Sequence, residues 1–402
     1  MAGEVKSTTK WSPNPLRFNA TQLPLPLLLV AKLVVTMILV RLTWRELPNP
    51  FIPVLPILDH FAFARLFGLV LKVAVVMGSA AILLNYRVRA ACLIVGSAFL
   101  LGILASRPYF ENNIMYVGCL LFLLGLYEPR TGPWLVRAQI ILVFFAAALN
   151  KLLDSDWRSG QFFEYWATVF VNKSLYFRVG SWLPRMWLPW LMSWATIAIE
   201  FGIAFCLLFR RFRFWGIWLG LLLAVGQNSL TERTFGVFFY VMPISYLAFV
   251  TWPSSSMIVL YDGECGFCTR VRLLLERLDV DRFFVWQPFQ QSRNLYGISQ
   301  EELRQRLYVV ADSKKYSGFA AFKMIALYNP LTYFILLFPL LLPQAVFFHY
   351  RSLVAIAYLL FFSPIFSPVG EAVYRWIARN RYRIPSEVSC ALDTTSAAPA
   401  KR

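Results

Sequence analysis

Long blocks of apolar residues, each about as long as a membrane-crossing helix, dominate the chain up to Trp252. A helix needs about 20 mainly apolar residues to cross the hydrocarbon core of a bilayer. The blocks therefore predict a multi-pass α-helical membrane bundle of about eight helices within residues 23–252. The predicted spans are residues 23–43, 61–84, 88–105, 112–127, 133–152, 187–209, 212–230 and 234–252.

The composition favours a membrane protein over a nucleic-acid-binding protein. Hydrophobic residues make up 58% of the chain and charged residues only 15%, whereas about a quarter of the residues of a soluble domain are charged. The formal charge is +18. Most basic residues, however, cap apolar blocks, as Arg87 and Arg89 do, and do not form one stripe interleaved with aromatic side chains. Membrane lipid is therefore an expected partner, and nucleic acid is not.

The N-terminal segment and the loops give an expectation for orientation. Residues 1–22 are polar, and no small-residue cleavage site follows a short apolar core, so we expect the first helix to stay in the membrane. Lys and Arg residues of the short loops favour a cytoplasmic N-terminus, although the basic connection at 153–186 then falls outside. With eight spans, the region after Trp252 is predicted to lie on the cytoplasmic side.

The sequence pattern changes after Trp252, where the short polar stretch at 253–256 marks a domain boundary. An apolar run at 257–261, a turn at 262–264 and a helix from Cys265 predict the order strand, turn, helix. Further strands are predicted at 282–286, 307–311 and 315–316, and helices at 299–306 and 318–327. Residues 253–330 are thus predicted to form a small α/β domain.

Residues 331–383 and a tail at 384–402 complete the predicted organisation. Apolar runs at 331–348 and 353–366 predict either a helical hairpin that enters the membrane or a half-buried pair, and the sequence leaves both open. A basic helix is predicted at 371–383. The tail is rich in Pro, Ser, Thr and Ala and is expected to be disordered.

Cys265 and Cys268, two of the six cysteines, stand in a Cys-x-x-Cys spacing at the start of a predicted helix. Unpaired N–H groups and the positive helix end stabilise a thiolate there. Such motifs lower the thiol pKa from about 8.5 to between about 3.5 and 7.5. We therefore predict that Cys265 attacks a disulfide and Cys268 resolves the product. Arg270 and Arg272 are candidates to support the thiolate, whereas Asp262 and Glu264 would oppose it if they point inward.

Half of a zinc site and a structural coincidence are the two alternatives for this cysteine pair. A zinc site needs two further Cys or His ligands at matching spacing. The histidines, His60 and His349, lie beside a predicted span and between the two late apolar runs. No metal is therefore predicted.

The stretch Tyr261-Asp262-Gly263-Glu264-Cys265-Gly266-Phe267-Cys268 resembles the Asp-x-x-Cys-x-x-Cys signature of the DCC family of thiol-disulfide oxidoreductases. Residues 316–321 resemble the Gly-x-x-Ala helix start of that family, and residues 373–383 resemble its closing Tyr-x-x-x-Ala-x-Asn-Arg-Tyr segment. The resemblance covers residues 257–383. It implies a thioredoxin-like α/β domain in which Asp262, Gly263 and Gly318 support the two cysteines.

A second resemblance lies at the end of the fifth predicted span, in residues 148–160. This stretch is similar to the Lys-Leu-Asp-x-Asp-Trp-x-x-Gly region of vitamin K-dependent γ-carboxylases and of the related HTTM membrane domains. In the carboxylase, the lysine directly before Leu-Asp-x-Asp-Trp is the proposed base, and Lys151 stands one residue earlier here. Lys72 and Glu200 lie inside apolar runs, where an ionised side chain costs about 2.5 to 3.5 kcal/mol. These three residues predict either a polar membrane site or interfacial anchors and a structural ion pair.

Three function hypotheses follow. The leading one is a membrane-anchored thiol-disulfide oxidoreductase whose redox-active couple is Cys265 and Cys268, with a thiol or disulfide protein or small molecule as partner. It requires no cofactor beyond that couple, although a quinone is compatible with it. The second is a carboxylase-like or quinone-handling enzyme, supplied with electrons by the redox domain, in which Lys151, Lys72 and Glu200 face one cavity. The third is a membrane scaffold or transporter whose cysteine pair is regulatory.

Overall fold

A computed structural model describes the chain at residues 13–18, 21, 23–41, 43–54, 56, 63–171, 174–231, 238–253, 256–292, 294–311, 314–341 and 367–381. The chain divides into two compact units. The first, called the helical unit, comprises Met1–Thr251 and Leu337–Ala355. The second, called the α/β unit, comprises Trp252–Leu336 and Ile356–Arg402.

The helical unit has a described helix at each of the eight predicted spans. Short helices α6, α7 and α8 lie in the long connection after the fifth span. The helices are α1 (Leu25–Val40), α2 (Ala64–Leu83), α3 (Val88–Leu104), α4 (Asn112–Gly125), α5 (Trp134–Leu153), α6 (Ser155–Ser159), α7 (Gln161–Trp166), α8 (Ser174–Gly180), α9 (Trp187–Leu208), α10 (Arg213–Thr231) and α11 (Phe238–Ser245).

Three of the described helices, α2, α5 and α9, are long and apolar enough to cross a membrane. The other apolar helices are shorter; α1, for example, has 16 residues where the sequence predicted 21. Pro24 is the N-cap residue of α1, and Pro26 lies in its first turn, because proline fits the first turn of a helix but not its interior. The number of full spans therefore stays a prediction.

Close helix packing in this unit depends on small residues. A Cβ atom built on Gly96 of α3 would lie 2.4 Å from the backbone nitrogen of Phe122 on α4. Only glycine lets the two backbones come this near, as in other membrane helix pairs. The helix α5 packs on α9, and α9 packs on α10.

The α/β unit contains a four-stranded sheet in the order β2-β1-β3-β4. The strands are β1 (Met257–Tyr261), β2 (Phe284–Pro288), β3 (Tyr308–Ala311) and β4 (Lys314–Ser317), and the helices are α12 (Gly266–Leu278), α13 (Gln300–Gln305), α14 (Phe319–Leu327), α15 (Pro330–Leu341) and α16 (Ser367–Asn380). The strands β1 and β2 are parallel, while β3 is antiparallel to both β1 and β4. The crossover from β1 to β2 includes α12, the helix that begins after Cys265, which confirms the predicted thioredoxin-like α/β domain.

Alternating side chains of β1 supply the core on both faces of the sheet. Met257 and Val259 pack with Phe284 on one face, and Leu260 packs with Phe289 on the other. Period-two alternation is what a strand covered on both faces requires. All five side chains are at most 5% exposed.

The second strand begins two residues later than predicted. The sequence placed it at 282–286, whereas β2 comprises Phe284–Pro288. The Asp279 carboxylate accepts the N–H groups of Phe283 and Phe284 at 2.9 and 2.8 Å, and Arg282 has φ +54°. A side-chain-capped turn thus replaces the first two predicted strand residues.

The last described helix, α16, begins at Ser367, four residues before its predicted start. Several predictions lie outside the described residues: the N-terminal residues 1–12, His60 and His349, most of the apolar hairpin at 342–366, and the tail at 384–402.

Candidate dithiol active site

Cys265 is the N-cap residue of α12, and its sulfur takes the place of the usual capping oxygen. Its Sγ accepts the backbone N–H of Cys268 at 3.4 Å. Serine, aspartate and asparagine normally make this bond, because it satisfies one of the unpaired N–H groups at a helix start. Both cysteines are free thiols, Cys265 being 1% exposed and Cys268 half-buried.

The two cysteine thiols have very different pKa values. The hydrogen bond from the Cys268 thiol, helped by the backbone N–H of Cys268 and the charge of Arg381, lowers the Cys265 pKa to about 6, against the effect of burial and Asp262. The same hydrogen bond, together with burial, raises the pKa of Cys268 far above its ordinary value. Near neutral pH these pKa values favour a thiolate at Cys265 and a thiol at Cys268.

Arg381, directly after α16, brings the positive charge to this site. One guanidinium nitrogen lies 3.7 Å from the Cys268 Sγ, and the other lies 3.2 Å from Oδ2 of Asp262 and bonds the carbonyl oxygen of Arg304. The Arg381 side chain is 5% exposed and that of Asp262 is 2% exposed. Because a buried guanidinium is stable only when it is well paired, these contacts fix it beside the sulfur.

Asp262 and Gly263 shape the turn before the cysteines. The Asp262 Oδ1 accepts the side-chain N–H of Gln290 at 2.7 Å and the backbone N–H of Glu264 at 3.2 Å. Gly263 donates its N–H to Gln290 Oε1 at 3.1 Å. A Cβ atom on Gly263 would lie 2.8 Å from the Cβ of Pro288, so the close approach to β2 requires glycine.

Gly318 acts at a distance from the sulfurs, through α16. It precedes α14 with φ +61°, and a Cβ atom there would lie 2.9 Å from a carboxylate oxygen of Glu371. Glu371 accepts the N–H of Phe319 at 3.1 Å and pairs with Arg306 at 3.3 Å. Gly318 thus lets α16 dock, and this docking carries Arg381 to the cysteines.

The structure has Arg381 beside the cysteines, where the sequence predicted Arg270 and Arg272. Arg272 pairs with Glu276 at 2.8 Å and donates to the Tyr261 hydroxyl at 3.2 Å, and Arg270 is exposed. Arg381 contacts the site instead, more than 100 residues further along the chain. The available signal was the Asn380-Arg381 pair within the closing segment that resembles the DCC family.

A second pair of buried charges lies in the helical unit. Lys151 Nζ contacts both carboxylate oxygens of Glu200 at 2.8 Å and lies 5.1 Å from the ring centre of Trp157. Asp154 caps α6 by accepting the N–H of Asp156 at 2.8 Å. This arrangement brings two of the three predicted membrane-site residues together.

Lys72, the third predicted membrane-site residue, lies apart from this pair. It lies on α2, which packs on α1 and α3, and it is not part of the Lys151–Glu200 pair. Gly160, at the end of the carboxylase-like stretch, has φ +82°, and a Cβ atom there would lie 2.6 Å from the backbone nitrogen of Trp190. The glycine therefore lets the turn after α6 approach α9.

Family comparisons agree with both regions. Residues 259–352 match the family model of the DCC1-like thiol-disulfide oxidoreductases, and residues 129–252 match that of the HTTM domain. The chain joins these two domains. The match confirms the predicted fusion, and together with the apolar helices it makes the chain a membrane protein. Comparisons with curated proteins and with solved structures give no significant match.

The extent of each match bears on the sites. The DCC1-like match contains both cysteines and Gly318 but ends before α16, so the contribution of Arg381 is seen only in the structure. The HTTM match contains Lys151 and Glu200, and Lys72 precedes it. Within the described ranges, no group of three or more His, Cys, Asp or Glu side chains is arranged to hold a metal ion.

Proposed function

We propose that this chain is a membrane-anchored thiol-disulfide oxidoreductase that uses Cys265 and Cys268 as its redox couple. The observation that carries the proposal is the sulfur of Cys265 at the start of α12, where it accepts a backbone N–H and has a pKa of about 6. A thiolate is the nucleophile of disulfide exchange. The DCC1-like match supports the same class of reaction.

The reaction is a pair of sulfur exchanges. The Cys265 thiolate attacks one sulfur of the partner's disulfide, a mixed disulfide forms, and the other partner sulfur leaves as a thiolate that takes up a proton. Cys268 then loses its proton and attacks the Cys265 sulfur, which releases the second partner thiol. The partner disulfide gains two electrons, and the two cysteines lose them as their own disulfide forms. The reverse sequence oxidises a partner dithiol.

Arg381 and Asp262 set the electrostatics of these steps. Asp262 alone would disfavour negative charge on either sulfur, and Arg381 lowers the pKa of both. Because Arg381 lies beside Cys268, it also stabilises the thiolate that Cys268 must become in the second step. The positive charge of Arg381 thus opposes the effect of the Asp262 carboxylate on the pKa of both cysteines.

The helical unit supports a membrane location for the redox domain. The HTTM-matching helices would cross the membrane several times and anchor the redox domain in lipid. The distribution of Lys and Arg in the short loops favours a redox domain on the cytoplasmic side. A reducing compartment would regenerate the dithiol, and the partner would be a thiol or disulfide protein or small molecule. No cofactor is needed for the exchange itself.

The test uses purified full-length protein in lipid nanodiscs. Alkylation rates measured against pH give the Cys265 pKa, and Cys268→Ser traps the mixed disulfide with a partner, with Cys206→Ser as a matched control from the membrane helices. We expect an inflection near pH 6 and a trapped adduct that Cys265→Ser abolishes. An ordinary thiol pKa near 8.5 together with no adduct would refute the proposal.

A further inference from the structure

An apolar cavity of about 770 Å³ opens beside the dithiol, entirely within the α/β unit. Its walls come from α12, α14 and α16 and from β2, and they include five aromatic rings, of Phe267, Trp286, Phe319, Phe322 and Tyr374. Small-molecule sites in proteins have volumes of about 300 to 1,000 Å³ and apolar walls with few polar groups. The cavity therefore has the size and lining of a ligand site.

The polar end of the cavity is the redox site itself. Cys268, Asp262 and Arg381 lie in its wall, while Cys265 does not. The Arg381 side chain is 5% exposed, and its guanidinium donates to the Cys268 sulfur and to Asp262. A molecule in the cavity would thus meet apolar and aromatic groups along its body and, at one end, a thiol and a cation that is paired with the Asp262 carboxylate.

Exposure differs between the two cysteines in a way that favours a small molecule here. Cys265 is 1% exposed, so a protein disulfide reaches it only when covering side chains move. Cys268 is half-buried and is reached through the cavity. Val369 and Val373, which also line the cavity, are 60% and 53% exposed, so one side of it is open through apolar groups. An apolar opening favours a lipid-soluble ligand over a charged one.

We propose that this cavity binds a lipid-soluble quinone, which accepts two electrons from the dithiol. A planar ring fits between aromatic side chains, a ring oxygen can accept a hydrogen bond from Arg381, and an apolar tail fits the open side. The proposal rests on the function proposed above, because it needs a reactive dithiol. It extends that function to a thiol-dependent quinone reductase.

The electrons balance with the two cysteines alone. The Cys265 thiolate and the Cys268 thiol form a disulfide bond, and the quinone gains their two electrons. The Cys268 proton and one proton from solvent convert the two quinone oxygens into hydroxyl groups. Arg381 stabilises the negative charge that develops on the nearer oxygen before protonation. Cellular thiols, which reduce the Cys265–Cys268 disulfide by exchange, complete the cycle.

The experiment compares two oxidants on the same protein. Full-length protein in nanodiscs is reduced, freed of reductant and mixed either with decylubiquinone or with a small water-soluble disulfide. Quinol absorbance and loss of thiols are then followed. We expect one quinol for each pair of thiols lost. Val373→Trp and Ala378→Trp fill the cavity, and Ala372→Trp, on the exposed face of the same helix, is the control.

Filling the cavity should slow quinone reduction at least about tenfold, and by more than it slows exchange with the smaller water-soluble disulfide, while the Ala372→Trp control reacts like the original protein with both oxidants. Quinone reduction unchanged in both filled variants would overturn the proposal. So would a dithiol that exchanges with the disulfide but never reduces the quinone. If the original protein exchanges with neither oxidant, the thiol-disulfide function itself has failed.

Discussion

Two ion pairs with buried carboxylates, both within the described part of the chain, differ in what else they contact. In the HTTM region, Lys151 and Glu200 satisfy each other, with both carboxylate oxygens 2.8 Å from the same ammonium. In the α/β unit, Arg381 and Asp262 are 3.2 Å apart, and the guanidinium also contacts a sulfur and a carbonyl oxygen. Beside the first pair lies the ring of Trp157. Beside the second lies the sulfur of Cys268.

We therefore expect the first pair to be structural and the second to take part in the proposed chemistry. A buried pair is weak evidence for catalysis, because its main effect is to keep both charges stable in an apolar interior. The chemistry comes from the group placed beside the pair. At Lys151 that group is the ring of Trp157, whereas at Arg381 it is a thiol whose neighbour is a thiolate.

The largest expected effect separates the two regions directly. Cys265→Ser should lower the rate of disulfide exchange by several orders of magnitude, because hydroxyl groups do not act as nucleophiles toward sulfur here. Lys151→Met should leave the rate close to that of the original protein. Both are measured by exchange with a small disulfide in nanodiscs. A Lys151→Met variant as inactive as Cys265→Ser would show that the comparison is wrong.

The next effect is on the stability of the helical unit. Lys151→Met leaves Glu200 buried at 6% exposure without its partner, which costs about 3 kcal/mol for a buried pair. The thermal midpoint of the full-length protein should therefore fall. The double variant Lys151→Met with Glu200→Met removes both charges and should recover most of the loss. Equal midpoints for the single and double variants would argue that the pair is not coupled.

Arg381→Gln should change the pH profile and not abolish the reaction. The exchange rate follows the thiolate fraction, so it rises with pH through the Cys265 pKa of about 6 and levels above it. Loss of Arg381 removes a cation that lowers this pKa, so the inflection moves to higher pH and the rate at pH 6 falls severalfold. At pH 9 the difference shrinks, since both proteins are then largely ionised.

Two controls sharpen that prediction. Arg381→Lys keeps the charge and should restore part of the low inflection, whereas Asp262→Asn removes an opposing charge and should move the inflection down. An Arg381→Gln profile parallel to the original at every pH would show that Arg381 affects folding or access and not the thiolate.

Local rules were enough for the cysteine pair, and they failed for its cation. The strand, turn and helix around Cys265 follow from residues within one short segment, and the structure has them there. Arg270 and Arg272 were chosen because they lie near in sequence, but helix geometry turns Arg272 toward Glu276 and Tyr261. Arg381 reaches the sulfurs only through the tertiary docking of α16, which periodicity does not encode.

In the helical unit, the helix positions could be predicted from the sequence, but the ion pair between helices could not. Hydropathy located a described helix at each of the eight predicted spans, because apolar length is a local property. The short helices α6, α7 and α8 in the long connection were not predicted. The pairing of Lys151 with Glu200 depends on how α5 packs against α9, and the sequence left open which charge would pair with which. The rotation of a helix about its axis is decided by packing partners and not by composition.

The smallest expected effect tests whether α16 must dock for the thiolate to form. Gly318→Ala places a side chain at φ +61° and ψ −131°, a conformation that glycine adopts far more readily than alanine, and its Cβ would lie 2.9 Å from Glu371. Gly297→Ala is the matched control: its φ is +68°, and its Cβ would meet nothing nearer than Lys315 Nζ at 3.5 Å. Both variants should lose a little thermal stability. Only Gly318→Ala should also raise the Cys265 pKa measured by alkylation, because only it loosens the helix that carries Arg381. If both variants shift the pKa alike, strain in the domain and not the docking of α16 controls the thiolate.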